Sequence, residues 1–263
     1  MKARPAVYGS RAFFLHEAAY LMKHILMPKH INRKIGQALH DFSMLSNGDK
    51  VLVAVSGGVD SLVNAWVLQV WREKAPITYD IEAVYVDNGF WSHEAGNAAP
   101  AERIREQLDR FSIPLTVLDA WPVREGDQRN CYACARNRRT QLFDYARNRG
   151  CKKLALGHHK DDLIETFFIN VLYSGNISTM VPRQDLFGGN LSIIRMLAYI
   201  EKADVVTIAE KAGLSPVENL CPLSGDTRRD RVRELLDGIC LEIPDAKSSV
   251  FSALANVRND YML

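Results

Sequence analysis

Apolar and polar positions divide the chain into alternating strands and helices. Residues 51–55 are apolar at every position, which is typical of a central parallel strand covered on both faces. Further strands are predicted at residues 81–86, 115–118, 153–156 and 191–197, with helices at 62–71, 102–111, 131–147 and 163–172 between them. This alternation predicts an α/β protein built on a doubly wound, parallel five-stranded sheet.

Helical spacing of apolar residues also marks both ends of the chain. It predicts helices at residues 11–27 and 31–45, and again at 201–212, 227–236 and 245–257. Residues 175–190 are rich in glycine, proline and polar side chains and predict a mobile loop. We therefore expect an N-terminal helical arm at 1–46, a core domain at 47–215 and a C-terminal helical segment at 216–263.

Composition and charge narrow the class of protein only slightly. The formal net charge of +2 means that any surface for nucleic acid must be a local patch. No run is long and uncharged enough to span a bilayer, so we expect no membrane association. Five cysteines without a secretion signal predict a cytoplasmic protein with reduced thiols.

The segment 56–61, Ser-Gly-Gly-Val-Asp-Ser, joins the first strand to its helix. Gly57 and Gly58 let main-chain N–H groups approach a ligand, and the helix that follows directs its positive end to the same place. The segment therefore predicts an anion site, although a tight turn of small residues would have a similar composition. It lacks the lysine that follows the glycines in Walker A loops.

Two more loops lie at the same carboxyl edge of the predicted sheet, where open α/β sheets bind ligands. Asp87 leaves the second strand, either beside a ligand or as a turn acid that caps its own loop. Gly157 and His158 follow the fourth strand. Asp161 or Asp162 then caps the next helix, and we expect Asp161 to help hold Mg²⁺ on a nucleotide.

A Cys-x-x-Cys pair, Cys131 and Cys134, begins the helix at 131–147, where the positive helix end favours thiolates. Such a pair is compatible with a redox site, half of a zinc site, part of an iron–sulfur cluster, or two buried small residues. The other three cysteines are isolated in sequence, so no second pair completes a four-sulfur zinc site.

Basic residues crowd the stretch 124–153 around this cysteine pair, beginning with Arg124 and Arg129. Arg136, Arg138 and Arg139 are the candidates for RNA contact, because aromatic residues are interleaved with them. A solvated helix face would look similar, and some of these arginines could instead face nucleotide phosphates.

The segment Ser-Gly-Gly-x-Asp-Ser resembles the motif of the PP-loop ATP pyrophosphatase family. Residues 156–176, LGHHKDDLIETFFINVLYSGN, then IIRMLAYI and a cysteine after Leu220, are similar to the tRNA 2-thiocytidine synthetase (TtcA-like) branch. That branch usually has lysine at the position of Val59. The resemblance implies a Rossmann-like fold of the PP-loop (HUP) type and catalytic roles for Asp60 and Asp161. It also implies ATP binding through Ser56, Gly57, Gly58, Val59, Asp60 and Ser61, near Asp87, Gly157 and His158.

The same resemblance implies a 4Fe-4S cluster held by Cys131, Cys134 and Cys221, the last from the C-terminal segment. The expected enzyme adenylates a base carbonyl of tRNA, releases pyrophosphate and inserts sulfur, forming 2-thiocytidine. Expected cofactors are ATP, Mg²⁺ and the cluster. Expected partners are tRNA and a sulfur donor such as sulfide or a cysteine desulfurase, with a homodimer as one assembly. The alternatives are a PP-loop enzyme that adenylates a small molecule and a nucleotide-regulated iron–sulfur protein without turnover.

Overall fold

The structure is a computed structural model, and it describes residues 27–90, 98–122, 131–221, 227–258 and 260. The predicted first helix at 11–27 lies outside these residues except for Met27. Arg124 and Arg129 of the basic stretch also lie outside them. Within the described residues, no helix is long and apolar enough to cross a membrane.

One six-stranded sheet forms the centre of the molecule, in the order β3-β2-β1-β4-β6-β5. Its strands are β1 (Asp49–Ala54), β2 (Tyr79–Asp87), β3 (Leu115–Asp119), β4 (Lys153–Ala155), β5 (Arg183–Leu186) and β6 (Leu191–Ile194). All neighbours pair in parallel except β5, which runs antiparallel to β6. The parallel sheet of five predicted strands is confirmed.

The sixth strand, β5, lies in the stretch predicted to be a mobile loop. Its sequence, Arg-Gln-Asp-Leu, has no apolar alternation, because β5 is an edge strand and no residue of it is fully buried. Polar contacts hold it instead: Arg183 forms an ion pair with Asp185, and Ser192 of β6 donates a hydrogen bond to the same carboxylate (2.6 Å). The periodicity of apolar residues in the sequence cannot predict a strand that is held by polar contacts.

In the described part of the chain, eight helices of four or more residues pack on the sheet or on one another. They are α1 (Lys29–Asp41), α2 (Val59–Lys74), α3 (Pro100–Asp109), α4 (Cys131–Asn148), α5 (Lys160–Ser174), α6 (Lys202–Ala212), α7 (Arg228–Glu242) and α8 (Ala246–Leu254). Helices α1, α2, α3 and α6 share one core with alternate residues of the strands, such as Val51 and Val53. Leu52 and Leu154 face α4 in a second core. The sheet is therefore covered on both faces, as its apolar strands require.

The helices at both ends of the chain join this body. Ile31 and Ile35 of α1 are fully buried in the larger core, so the described part of the predicted arm packs on the core domain. Val232 and Leu236 of α7 form a small third core with Ile164 of α5. The predicted boundaries at residues 46 and 215 stay a prediction.

Candidate active site

The loop after β1 is braced by its own hydroxyl groups and by a left-handed glycine. Gly57 has φ +87°, a conformation that favours glycine. The Ser61 hydroxyl accepts a hydrogen bond from the Ser56 N–H (3.1 Å) and donates one to the Gly58 carbonyl (2.7 Å). The loop is thus held open at the N-terminus of α2, where backbone N–H groups and the helix dipole favour an anion.

Gly157 lies where the end of β4 meets the start of α2. A Cβ atom at Gly157 would lie 2.6 Å from the Asp60 carbonyl oxygen and 2.9 Å from the Ser61 Cα. Both contacts are with backbone, which cannot move aside without displacing the helix. Gly157 therefore permits the close approach that brings His158 to the loop at residues 56–61, the phosphate loop.

Three adjoining cavities follow the carboxyl edge of the sheet. The phosphate cavity, about 290 Å³, lies between the loop at 56–61 and His158. The middle cavity, about 320 Å³, lies between Ser56 and Asp87 and extends to Asn219. The cysteine cavity, about 450 Å³, also reaches Asp87 and Asn219. The three cavities share lining residues and form one continuous groove.

Arg138 lines all three cavities, and Arg139 lines the phosphate cavity. Both were predicted to contact RNA, and their position instead suits nucleotide phosphates, the other role considered for these arginines. All three arginines are exposed on α4, but the three cavities do not include Arg136 among their described lining residues. The basic helix therefore separates into a groove side and an outer side.

The cysteine cavity brings Cys221 together with the pair Cys131 and Cys134, from which it lies far away in the sequence. Cys134 contacts the Asn88 amide oxygen through its sulfur (3.7 Å). Among the described residues, no group of three His, Cys, Asp or Glu side chains is already arranged to hold a metal ion. The donor set fits an iron–sulfur cluster in its chemistry, since three thiols surround one space and soft thiolates suit iron.

A buried arginine controls the ring of His158. Arg195 Nε donates to His158 Nδ1 (3.2 Å), so the remaining proton of a neutral ring lies on Nε2. Burial and then the Arg195 charge lower the pKa of His158 to about 4. Burial, with a smaller effect of Arg139, lowers the pKa of Arg195 to about 10. His158 is therefore a neutral hydrogen-bond donor at the phosphate cavity near pH 7.

The two carboxylates expected to be catalytic occupy different environments. Asp60 lines the phosphate cavity, and its Oδ1 forms an ion pair with Lys202 Nζ (2.5 Å). Asp161 is buried, and Lys247 Nζ (3.0 Å) and the Lys202 backbone N–H (2.8 Å) occupy its oxygens. The predicted magnesium role does not fit Asp161, because these contacts tie α5 to α6 and α8.

The lowered pKa of Asp161 also indicates a structural role for this carboxylate. Burial alone would raise the pKa, but hydrogen bonds from His159, the Lys202 N–H and Lys247 outweigh burial and lower it below the usual value. The neighbouring Asp162 does line the phosphate cavity. It also caps α5, accepting from the His159 N–H (2.9 Å), and forms an ion pair with Arg229 (2.9 Å).

Several groove residues were missed by sequence reasoning. Lys202 carries no motif and reaches Asp60 at the groove from a helix far along the chain. Asn88 and Asn219 line the groove from loops, and Trp121 lines the cysteine cavity directly after β3. Only the position of Asn88 and Trp121 just beyond predicted strands could have indicated them.

This chain is similar to known proteins over most of its length. A family model described as a PP-loop domain matches residues 27–238. The tRNA-cytidine(32) 2-sulfurtransferase of Geobacter sulfurreducens is 35% identical over 241 residues, covering 89% of this chain and 92% of that protein. The enzyme of the same name from Anaeromyxobacter sp. (strain K) is 36% identical over 239 residues, covering 88% and 80%.

A solved structure supports the fold independently of these sequence matches. It is the U34-tRNA thiolase NcsA from Methanococcus maripaludis with its 4Fe-4S cluster, with a TM-score of 0.68 and 22% identity. The superposition covers 86% of this chain and 78% of that one. At this identity the likeness establishes the arrangement of strands and helices alone.

Proposed function

Because this chain belongs to the PP-loop family and, within it, to the tRNA-cytidine(32) 2-sulfurtransferases, we propose that it is an ATP-dependent sulfurtransferase that thiolates cytidine in tRNA. The observation that carries the proposal is the continuous groove, which joins an anion-binding loop to three cysteines. ATP activation and sulfur delivery can therefore occur next to each other, in the cytoplasm where tRNA is modified.

The chemistry requires two steps because the 2-oxo group of a pyrimidine is a poor leaving group. The base oxygen attacks the α-phosphorus of ATP, the bond to the bridging oxygen breaks, and pyrophosphate departs. Hydrosulfide then adds at C2, the C2–O bond breaks so that the oxygen leaves with AMP, and the S–H proton is released. The protein holds both reactants in one groove, which replaces an encounter in solution by a step between neighbours.

The phosphate loop and its surroundings would bind the triphosphate. Gly58, Arg138 and Arg139 line the cavity in which charge would develop on pyrophosphate, and they would stabilise that charge. His158 adds a neutral donor there. We place Mg²⁺ beside Asp60, because this carboxylate lines the cavity. Its ion pair with Lys202 is partly exposed to solvent.

Cys131, Cys134 and Cys221 would hold a 4Fe-4S cluster, which would bind sulfur and deliver it to the base. Asn88, which contacts Cys134, would help to orient that thiol. The sulfur donor in this proposal is sulfide, or a cysteine desulfurase whose persulfide is reduced to sulfide by a thiol that is oxidised to a disulfide. The adenosine would occupy the middle cavity between the loop and Asp87.

The test measures pyrophosphate release by the anaerobically purified chain with ATP, with and without tRNA. Release that depends on tRNA, together with 2-thiocytidine found by mass spectrometry of the digested tRNA, is the expected result. The Asp60→Ala variant serves as the matched control and should release no pyrophosphate. Release that is independent of tRNA and requires a small molecule would overturn the proposal.

A further inference from the structure

Trp121 lies at the cysteine cavity with much of its ring exposed. It is 40% exposed, whereas Trp66 is 1% exposed in the main core, and Trp71 is partly buried beside that core. Trp121 belongs to none of the three hydrophobic clusters formed by the described residues. Its indole is therefore not required to fill the interior.

The backbone of this tryptophan is nevertheless held firmly by α4. Gln141, itself only 5% exposed, donates to the Asp119 carbonyl (2.7 Å) and accepts from the Trp121 N–H (3.2 Å). Asn137 donates to the Trp121 carbonyl (2.7 Å). Two side-chain hydrogen bonds thus fix the Trp121 backbone, and a third fixes Asp119, to the helix that begins with Cys131 and Cys134. The backbone that carries this exposed ring is therefore already ordered before a ligand arrives, which lowers the entropy cost of binding.

The proposed chemistry at this cavity requires a side chain on which a base can stack. An enzyme that modifies the ring of a base must take that base out of the RNA stack, and proteins stabilise an unstacked base by stacking it on an aromatic side chain. The cysteine cavity holds Trp121 and the three thiols together. A base stacked on this indole would lie in the cavity that also holds the proposed sulfur-delivering cysteines.

We propose that Trp121 is the stacking platform for the pyrimidine base that receives sulfur. This inference rests on the proposed function and adds the residue that binds the extruded base. The nucleotide of ATP is placed elsewhere, in the middle cavity, whose lining does not include Trp121 among the described residues. Trp121→Ala should therefore weaken RNA binding and leave the KM for ATP unchanged.

The experiment compares two anticodon stem-loop RNAs, one with cytidine at position 32 and one with an abasic nucleotide there. Dissociation constants of the full chain are measured by fluorescence anisotropy at one salt concentration. Trp121→Ala should lose about tenfold in affinity for the cytidine RNA, an effect of the size found for single stacked bases, and should lose nothing on the abasic RNA. Trp121→Phe should restore most of the loss, since a benzene ring also stacks.

The matched control is Phe187→Ala, which removes an aromatic ring that is 63% exposed at the opposite edge of the sheet. It should not change either affinity. Equal losses on both RNAs for Trp121→Ala, or a raised KM for ATP, would overturn the stacking role. If stacking is observed but no thiolated nucleoside forms, the proposed function fails and the base-binding site stands.

Discussion

At the scale of single residues, Asp60 and Asp161 show that two similar side chains have different roles when their contacts differ. Both carboxylates lie in short segments at the carboxyl edge of the sheet, and the family resemblance implied a catalytic role for both. The segment 56–61 could be predicted well because a strand, a loop and a helix start are local features. The environment of Asp161 could not, since its partners Lys202 and Lys247 come from α6 and α8.

Asp161→Asn should destabilise the protein without removing its ATP chemistry. Losing the charge beside Lys247 weakens buried hydrogen bonds, so the free energy of unfolding should fall by about 1–3 kcal/mol in urea titrations. Pyrophosphate release per folded molecule should stay within about twofold. Asp60→Asn is the matched variant, and it should retain stability to within about 1 kcal/mol because its ion pair is half-exposed, while pyrophosphate release is lost.

The stability difference between wild type and Asp161→Asn should also depend on pH. The folded-state pKa of Asp161 lies below the ordinary value of 3.8, so its contribution is complete above that value. The difference should thus be constant from pH 7 to about pH 5 and shrink only under more acid conditions. An Asp161→Asn variant with full stability but no turnover would return Asp161 to the catalytic site.

Helix α4 shows at the scale of elements what a linear pattern can and cannot predict. Its position at Cys131–Asn148 agrees with the predicted range, because helix periodicity is a property of the segment itself. Its division into a groove side and an outer side depends on how the helix packs against the sheet. The same limit explains β5, which is held by contacts between neighbouring strands and has no apolar pattern.

Arg136→Gln and Arg138→Gln should therefore have different consequences although they lie on the same helix. Arg138→Gln removes a charge from all three cavities and should raise the KM for ATP about tenfold or more, as expected for a lost charged contact. Arg136→Gln should leave that KM unchanged and reduce the salt slope of tRNA binding by about one unit. Identical effects of the two substitutions on ATP and tRNA would contradict this division of α4.

At the scale of the whole molecule, one connection decides whether the cysteines can meet. The segment after α6 crosses α3, where Gln107 forms two hydrogen bonds with Ser215 (2.7 and 3.0 Å). It then reaches the phosphate loop, where the Val217 N–H donates to the Gly57 carbonyl (2.9 Å). This path brings Cys221 to the cavity of Cys131 and Cys134. Sequence reasoning could place Cys221 there only by resemblance, because nothing local specifies the path.

Cys221→Ser should yield a colourless protein that binds ATP but transfers no sulfur. Serine is a poor ligand for iron that is held by soft thiolates, whereas the phosphate loop needs no iron. Cys240→Ser is the control, since Cys240 lies on α7 and outside the described lining of the cysteine cavity. Iron and sulfide analysis of the two purified variants, with isothermal titration of ATP, makes the comparison. Equal iron in both would remove Cys221 from the proposed cluster site.

The contact between Gly57 and Val217 also bears on how this enzyme can be dissected genetically. A methyl group at Gly57 would lie 3.2 Å from the Val217 Cβ and would strain a backbone at φ +87°. Gly57→Ala should therefore lower both ATP affinity and iron content, measured on one preparation, although the contacts described for Gly57 are with Val217 and Ile104 and not with a cysteine. Separation-of-function alleles should consequently be absent at this position and recoverable at Asp60 and Cys221, for each of which we propose a role in one half-reaction.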